Sequence, residues 1–183
     1  MERKAEQVQE QGIQKLVPRE QMIEEVRKGC IQFARLYFHF VKVLYDTYGH
    51  DRAKELVRQA IFELALDRSD ALREKALKAG LKAESRADFN QVTDLPTCGW
   101  VKERGKNHCP YAECWRSYFE EYPWFQEFAL YYCDVIDTTN IENFSRCLSH
   151  RITQNVLQEG ESCERIYFES EEVKAGKFTY GSR

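Results

Sequence analysis

Three cysteines in the second half of the chain are the residues best suited to covalent chemistry. They are Cys109, Cys133 and Cys163. A thiolate adds readily to an electrophilic carbon, and a nearby acid can protonate the group that departs. These thiols lie far apart in sequence, so they can serve one reaction only if the fold gathers them. We predict that they converge on one pocket, and each of the three is a candidate nucleophile.

Three further side chains could supply what a thiol nucleophile needs. Asp137 follows Cys133 by four residues, which places both on one face of a helix if the helix continues that far. Asp137 is interpreted either as a functional acid or as a cap for the segment that begins at Asn140. His108 could carry a proton, and Arg151 could bind a substrate carboxylate. The candidate catalytic residues are therefore Cys109, Cys133, Asp137 and Cys163, and the candidate substrate-binding residues are His108 and Arg151.

Cys109 has a distinctive local context because it precedes Pro110, a residue favoured at the first position of a helix. The pattern predicts that Cys109 is the N-cap of a helix that carries Trp115 inward. A thiol at that position faces the positive end of the helix dipole and unpaired N–H groups, which stabilise its thiolate. The alternative interpretation is a small buried residue at the start of a helix.

The same side chains support a second hypothesis, a tetrahedral zinc or iron site. Its ligands would be Cys109, Cys133, Cys163 and His108. The chain has no Cys-x-x-Cys pair, which most short structural zinc motifs contain, so our first expectation is a protein without a metal or other cofactor. A third hypothesis is a non-catalytic module whose aromatic-lined cleft captures a small ligand.

Composition narrows the class of protein. The chain has 183 residues, of which 43% are hydrophobic, enough for one core. Its net charge of -3 indicates no nucleic-acid partner, and no apolar run approaches the roughly 20 residues of a membrane span. The N-terminus lacks the apolar segment of a signal peptide, so we expect a cytoplasmic protein with free thiols and a small-molecule substrate. Homo-oligomer formation stays open.

Two long helices are predicted to form an N-terminal hairpin. From Pro18 onward, apolar residues recur every three or four positions until Gly49, and a second helix begins at Asp51 and continues to Gly80. After Gly80 the period changes. The segments 89–95 and 97–103 are predicted as strands, and an alternating basic string (Lys102, Arg104, Lys106, His108) follows them.

A C-terminal hairpin should carry the third thiol. Residues 151–157 and 163–168 are strand-like and flank a turn around Gly160. Alternation places Cys163, Arg165 and Tyr167 on one face and Ile166 and Phe168 on the other. If the second face meets the main core, Cys163 faces a cleft or a second layer.

These elements predict an α+β fold in which the helical hairpin packs on a small antiparallel sheet, together with additional helices. We divide the chain into a polar N-terminal extension (1–17), a single α+β domain (18–169) and a flexible C-terminal tail (170–183).

Four segments, in this order and spacing, resemble a known family. They are Tyr45-Asp46-Thr47-Tyr48-Gly49, Cys109-Pro110-Tyr111-Ala112-Glu113-Cys114-Trp115, Tyr132-Cys133-Asp134-Val135-Ile136-Asp137 and Gly160-Glu161-Ser162-Cys163. Together they resemble the L-2-amino-thiazoline-4-carboxylic acid hydrolase family. The resemblance implies a cysteine-dependent hydrolase that acts on a non-peptide carbon–nitrogen bond of a cyclic amidine or thiazoline bearing a carboxylate.

Overall fold

The computed structural model describes residues 16–100, 102–103, 106–158 and 162–169, with the backbone alone at 102–103 and 106–107. The helices are α1 (Arg19–Tyr48), α2 (His50–Lys78), α3 (Arg86–Gln91), α4 (Pro110–Arg116) and α5 (Phe125–Phe144). The strands are β1 (Lys102–Glu103), β2 (Lys106–Asn107), β3 (Leu148–Gln154) and β4 (Glu164–Glu169). Residues 1–15 of the predicted extension, Arg104 of the basic string, the turn residues Gly160 and Glu161, and the predicted tail lie outside the described residues.

The predicted pair of long N-terminal helices is confirmed. α1 ends at Tyr48 and α2 begins at His50; between them Gly49 has a φ of 76°, in the left-handed region that glycine adopts without a steric penalty. The apolar period of each helix becomes its buried face. Ala34, Phe38 and Val41 of α1 enter the same core as Val57 and its neighbours on α2.

α5 links the long N-terminal helices to the C-terminal hairpin, because it packs on α2 and also on β3. Its first half, with Phe125 and Phe128, enters the main core together with Trp115 of α4. Its last turn, with Ile141 and Phe144, joins a second core that includes Leu148 of β3. Side chains on α5 therefore have fixed positions relative to the C-terminal hairpin.

The predicted C-terminal hairpin is present as an antiparallel pair of strands, but its first strand is Leu148–Gln154 and not 151–157, because the chain turns at Asn155, whose Oδ1 accepts the Leu157 N–H. His150 lies opposite Tyr167, Arg151 opposite Ile166, and Ile152 opposite Arg165. The register shifts between Ile152 and Gln154, which marks an irregularity near the end of β3. β1 and β2 form a second, very short antiparallel pair.

The strands predicted at 89–95 and 97–103 are largely wrong. The segment before Val92 is the helix α3, because Ser85 and Asp88 form a capping box: the Ser85 hydroxyl accepts from the Asp88 N–H, and the Asp88 carboxylate accepts from the Ser85 N–H. Residues Thr97–Gly99 form a short 3-10 turn, so only Lys102–Glu103 has strand conformation. A local cap thus decides the conformation of a segment whose residue types favour strands.

The α+β class is confirmed by the five helices and the antiparallel strands of the described residues. The hairpin of strands rests on α5, which itself rests on α2. None of the described helices combines the length and the apolar character needed to cross a membrane.

Candidate functional site

The central part of α5 carries two of the predicted site residues. Cys133 and Asp137 lie one turn apart on this helix, as their spacing predicted. The helix continues without interruption to Phe144, so Asp137 lies inside it. The alternative interpretation of Asp137 as a cap for a helix beginning near Asn140 is therefore wrong. Its carboxylate is available for a contact with the neighbouring hairpin.

That contact comes from Arg165 on β4. Arg165 Nη2 donates to Asp137 Oδ2 at 2.6 Å, and the two side chains are about one-third exposed, at 30% and 31%. Arg165 lies opposite Ile152 on β3, on the face of the hairpin that Tyr167 shares. The sequence reasoning placed Arg165 on the same face as Cys163 but gave it no role. Its alternation with Cys163 was the signal that could have identified it.

The opposite face of the hairpin points away from the core. Ile166 and Phe168 are 46% and 42% exposed, so the conditional expectation that they meet the main core is wrong. The reason is the register: His150 and Leu148, which are buried on β3, lie opposite Tyr167 and Glu169, and this fixes which face of β4 is turned inward. Cys163 and Arg165 therefore belong to the inward side.

Cys133 interacts electrostatically with Asp137, with Arg165 and with two other cysteines. Burial raises the pKa of its thiol well above the ordinary value, and the charges of Asp137, Cys109 and Cys163 raise it further, while Arg165 lowers it. Such couplings require that these groups be near one another. The structure thus places Cys109, Cys133 and Cys163 within electrostatic range of one another and of the Asp137–Arg165 ion pair. We call these five residues the thiol cluster.

Cys109 occupies the predicted N-cap of α4, with Pro110 at the first helical position. Burial raises the pKa of its thiol, although the N–H groups of Ala112 and Tyr111 and the indole of Trp100 lower it. The expectation of a stabilised thiolate at Cys109 is therefore wrong in its net direction. The donors that it invoked are present, but removal from water outweighs them.

Cys163 lies against the turn that follows β3. The Val156 N–H points to its sulfur at 3.5 Å, and the sulfur lies 3.9 Å from Asn155 Oδ1. Cys109 and Cys133 both pack against the main hydrophobic core, and Cys163 does not belong to that cluster of described residues. The thiol of Cys163 instead has polar groups around it, namely a backbone donor, an amide and the guanidinium of Arg165.

Asn155 is the polar residue that sequence reasoning missed. It is only 4% exposed, and its Oδ1 accepts the Leu157 N–H at 3.0 Å. Its Nδ2 has no hydrogen-bond partner among the described residues. The sequence pattern placed Asn155 inside the strand-like run 151–157, but the chain turns there, and no sequence signal pointed to its unpaired donor.

His108 and Arg151, the two predicted substrate-binding residues, are not part of the thiol cluster. His108 lies near Glu113, with 3.9 Å between Nδ1 and Oε1, where Arg27 of α1 forms an ion pair with Glu113 and also donates to the His108 carbonyl at 3.3 Å. Arg151 is exposed on the outward side of the hairpin. Arg151 was predicted to bind a substrate carboxylate, but the alternation of β3 turns it away from α5.

Aromatic residues border the cluster on the side of α4. The ring of Tyr132 lies 5.8 Å from that of Tyr111 and 5.3 Å from that of Trp115, between centroids. Burial raises the pKa of both tyrosines far above the ordinary value. Their phenols therefore stay neutral at physiological pH and can donate a hydrogen bond.

Nearby, Arg68 of α2 binds the Asp94 carboxylate through two nitrogens, at 2.6 and 3.0 Å. The Arg68 cation also acts electrostatically on Tyr132. The neighbourhood of the cluster thus contains two guanidinium groups, each paired with a carboxylate.

All seven cysteines are free thiols. Among the described side chains, no group of three or more His, Cys, Asp or Glu residues is arranged so that it could hold a metal ion. The alternative zinc or iron site on Cys109, Cys133, Cys163 and His108 gains no support from this arrangement, since His108 lies with Glu113 on the α1 side of α4.

Comparison of the chain with family models, with curated proteins and with solved structures finds no match. The resemblance to the thiazoline-carboxylate hydrolases is therefore supported by the quoted motifs alone.

Proposed function

We propose that this chain is a hydrolase of cyclic amidine or thiazoline-type carboxylates and that Cys163 is its nucleophile. The observation that carries the proposal is the position of Cys163 beside the Asp137–Arg165 ion pair and the Val156 N–H. A thiol, a carboxylate and a cation are the three groups that such a reaction requires.

Cys163 is favoured over the other two thiols by its surroundings. Burial raises the pKa of Cys109 and of Cys133, so both are held as neutral thiols, and the neutral form is the unreactive one. The sulfur of Cys163 receives a backbone N–H and interacts with the Arg165 guanidinium.

The first chemical step is addition of the Cys163 thiolate to the amidine carbon of the ring. The ring carbon–nitrogen bond then breaks and its electron pair stays on nitrogen. That nitrogen gains the proton that the thiol lost, and the Asp137 carboxylate is the carrier between them. The product of this step is a ring-opened substrate attached through its former amidine carbon to the Cys163 sulfur.

In the second step, water adds to the same carbon. The carbon–sulfur bond to Cys163 breaks and the thiolate is regenerated. The water oxygen becomes the carbonyl oxygen of the product, and the two water protons go to the product nitrogens and to solvent. One water is consumed in each turnover, and no oxidant or reductant is needed.

Arg165 takes the role first assigned to Arg151. A guanidinium has five N–H donors, and the described contact with Asp137 uses one of them. The remaining donors can bind a substrate carboxylate in the bidentate manner typical of arginine. This places the charged end of the substrate next to the reacting sulfur.

The experiment is a turnover assay with 2-amino-thiazoline-4-carboxylate, in which loss of the ring is followed by liquid chromatography and mass spectrometry. We expect Cys163→Ser to reduce turnover at least about 1,000-fold, because a hydroxyl is far less nucleophilic at neutral pH. Cys147→Ser is the matched control, since Cys147 is a free thiol outside the thiol cluster, and it should retain turnover.

Two outcomes would overturn the proposal. Turnover by Cys163→Ser within about threefold of the parent would remove Cys163 as the nucleophile. Saturable binding of the thiazoline by the parent without any turnover would instead favour the non-catalytic binding module.

A further inference from the structure

Asn155 has a donor that the fold desolvates and does not use. The residue is 4% exposed, and its Nδ2 is without a hydrogen-bond partner among the described residues. A buried amide N–H without a partner is destabilising, because folding removes its hydrogen bonds to water and supplies none in return. Such a group persists more often at a functional site than in an ordinary core.

The orientation of this amide is fixed by its other end. Oδ1 accepts the Leu157 N–H at 3.0 Å, and the Asn155 carbonyl accepts the Gln158 N–H at 3.0 Å, so both the side chain and the backbone of the turn are held. Because Oδ1 is the acceptor for Leu157, the amide nitrogen must be the free group. Exchange of the two amide atoms would place a donor against the Leu157 N–H.

The same amide lies next to the sulfur of Cys163, at 3.9 Å from Oδ1. The oxygen and nitrogen of an amide are about 2.2 Å apart, from ordinary bond lengths. Nδ2 is therefore at most about 6 Å from the Cys163 sulfur. At this largest separation, an oxygen midway between the two atoms would lie about 3 Å from the nitrogen, which is the distance required of an oxyanion donor.

We infer that Asn155 is a catalytic residue whose Nδ2 donates to the anionic oxygen that forms on a carbon bonded to Cys163. The inference rests on the proposed function and adds to it a second residue that contacts the reacting atoms. In the hydrolytic step, water adds to the carbon on sulfur, and the negative charge that develops on its oxygen is stabilised by the Asn155 N–H. The electron pair on this oxygen then forms the carbonyl bond as the carbon–sulfur bond breaks, and the negative charge leaves on the Cys163 sulfur.

The test compares two reactions of Cys163 that differ in where charge develops. With p-nitrophenyl acetate, the thiolate adds to the carbonyl carbon, its oxygen becomes anionic, and p-nitrophenolate leaves. With iodoacetamide, the thiolate displaces iodide and no anionic oxygen forms. Both rates are measured at Cys163 itself by rapid quench and peptide mass spectrometry, because six other thiols are present.

The main variant is Asn155→Asp, which keeps the acceptor for Leu157 and removes the Nδ2 donor. We expect acetylation of Cys163 to fall by roughly 100-fold relative to its alkylation, the effect typical of losing one oxyanion donor. The ratio of the two rates cancels any change in the thiolate population. Asn155→Ala, which adds no negative charge, should change the ratio in the same direction.

Gln126→Glu is the matched control. Gln126 Nε2 donates to the Leu157 carbonyl at 2.7 Å, so this change removes an amide donor that supports the same turn without touching Cys163. Its ratio of acetylation to alkylation should stay within about twofold of the parent. Thermal unfolding of each variant establishes that it is folded.

The inference is overturned if both rates fall together in the Asn155 variants, because the residue would then only hold Cys163 in place. It is also overturned if neither rate changes. A parent protein that does not open the thiazoline ring, yet shows the Asn155-dependent ratio, would refute the proposed function and leave this inference intact. Unchanged turnover of the thiazoline in Asn155→Asp would refute the inference alone.

Discussion

Replacing Arg165 with methionine would leave the Asp137 carboxylate without its cation in the middle of the thiol cluster. The two side chains are joined at 2.6 Å and are 30% and 31% exposed. Fully exposed pairs contribute about 0.2–1 kcal/mol, and loss of one partner of a buried pair costs about 3–5 kcal/mol. At intermediate exposure we expect Arg165→Met to lower the free energy of unfolding by about 2 kcal/mol.

The assay is a double-mutant cycle in urea with Arg165→Met, Asp137→Asn and the combined variant. The coupling energy should be about 1–2 kcal/mol, because the two residues contact each other directly. In a thermal scan, the single variant should melt about 4–8 °C below the parent. Arg151→Met, a change at an exposed arginine on the other side of the same hairpin, should cost less than about 0.5 kcal/mol.

The same variant should slow the reaction of Cys163 with iodoacetamide. Loss of the guanidinium removes favourable electrostatic energy from the thiolate, and about 1 kcal/mol corresponds to a fivefold slower rate. Arg151→Met should react at the rate of the parent. A coupling energy near zero, together with an unchanged alkylation rate, would refute the reasoning that Arg165 organises the cluster.

Three predictions concern stability. A Cβ at Gly99 would lie 2.7 Å from Cγ1 of Val26, so Gly99→Ala should destabilise the protein by about 1–2 kcal/mol. Gly29 lies in α1, and no atom lies within 4 Å of a Cβ added there, so Gly29→Ala should stabilise the protein by about 0.5–1 kcal/mol. Urea unfolding measures both changes. Because the pKa of the Cys133 thiol is raised in the folded protein, only the unfolded state loses this proton as the pH rises above about 8.5. The free energy of unfolding should therefore fall above that pH by up to about 1.4 kcal/mol per pH unit. A Cys133→Ala variant should show a shallower fall between about pH 8.5 and 10. Burial would raise the pKa of Glu127, but hydrogen bonds from neighbouring side chains outweigh it and hold that pKa at about 2. The ionised Glu127 carboxylate therefore stabilises the folded protein above pH 4.5, and this stabilisation is lost toward pH 2. The difference in Tm between the parent and Glu127→Gln should shrink over that range.

The long helices and the face shared by Cys133 and Asp137 could be predicted because they depend on local periodicity. An apolar residue every three or four positions defines α1, and a spacing of four residues on a continuous helix defines the pair on α5. The C-terminal hairpin also follows from local residue types. These features need no knowledge of what packs against them.

The choice between Arg151 and Arg165 could not be made from the sequence. Both arginines lie in strand-like segments, and alternation gives each strand two faces without stating which one turns inward. The burial of His150 settles this, because Arg151 then points outward while Arg165 reaches Asp137. Register is a property of the folded hairpin.

The net effect of burial at Cys109 was also beyond the sequence. The helix start is visible in Cys109-Pro110, and the N–H groups of the first turn lower the pKa of the Cys109 thiol. The opposing effect is removal of the sulfur from water, which depends on how the folded chain packs around it. Only the packed arrangement shows which of the two effects is larger.

The identity of the nucleophile is tested most directly by trapping the covalent intermediate during turnover. The parent protein is mixed with 2-amino-thiazoline-4-carboxylate, quenched in acid at short times, and analysed by peptide mass spectrometry. We predict a mass increase on Cys163 equal to the whole substrate, because opening the ring releases no fragment, and its disappearance as product forms. Turnover accompanied by an adduct on Cys109 or Cys133, or turnover that persists in Cys163→Ser, would contradict the account.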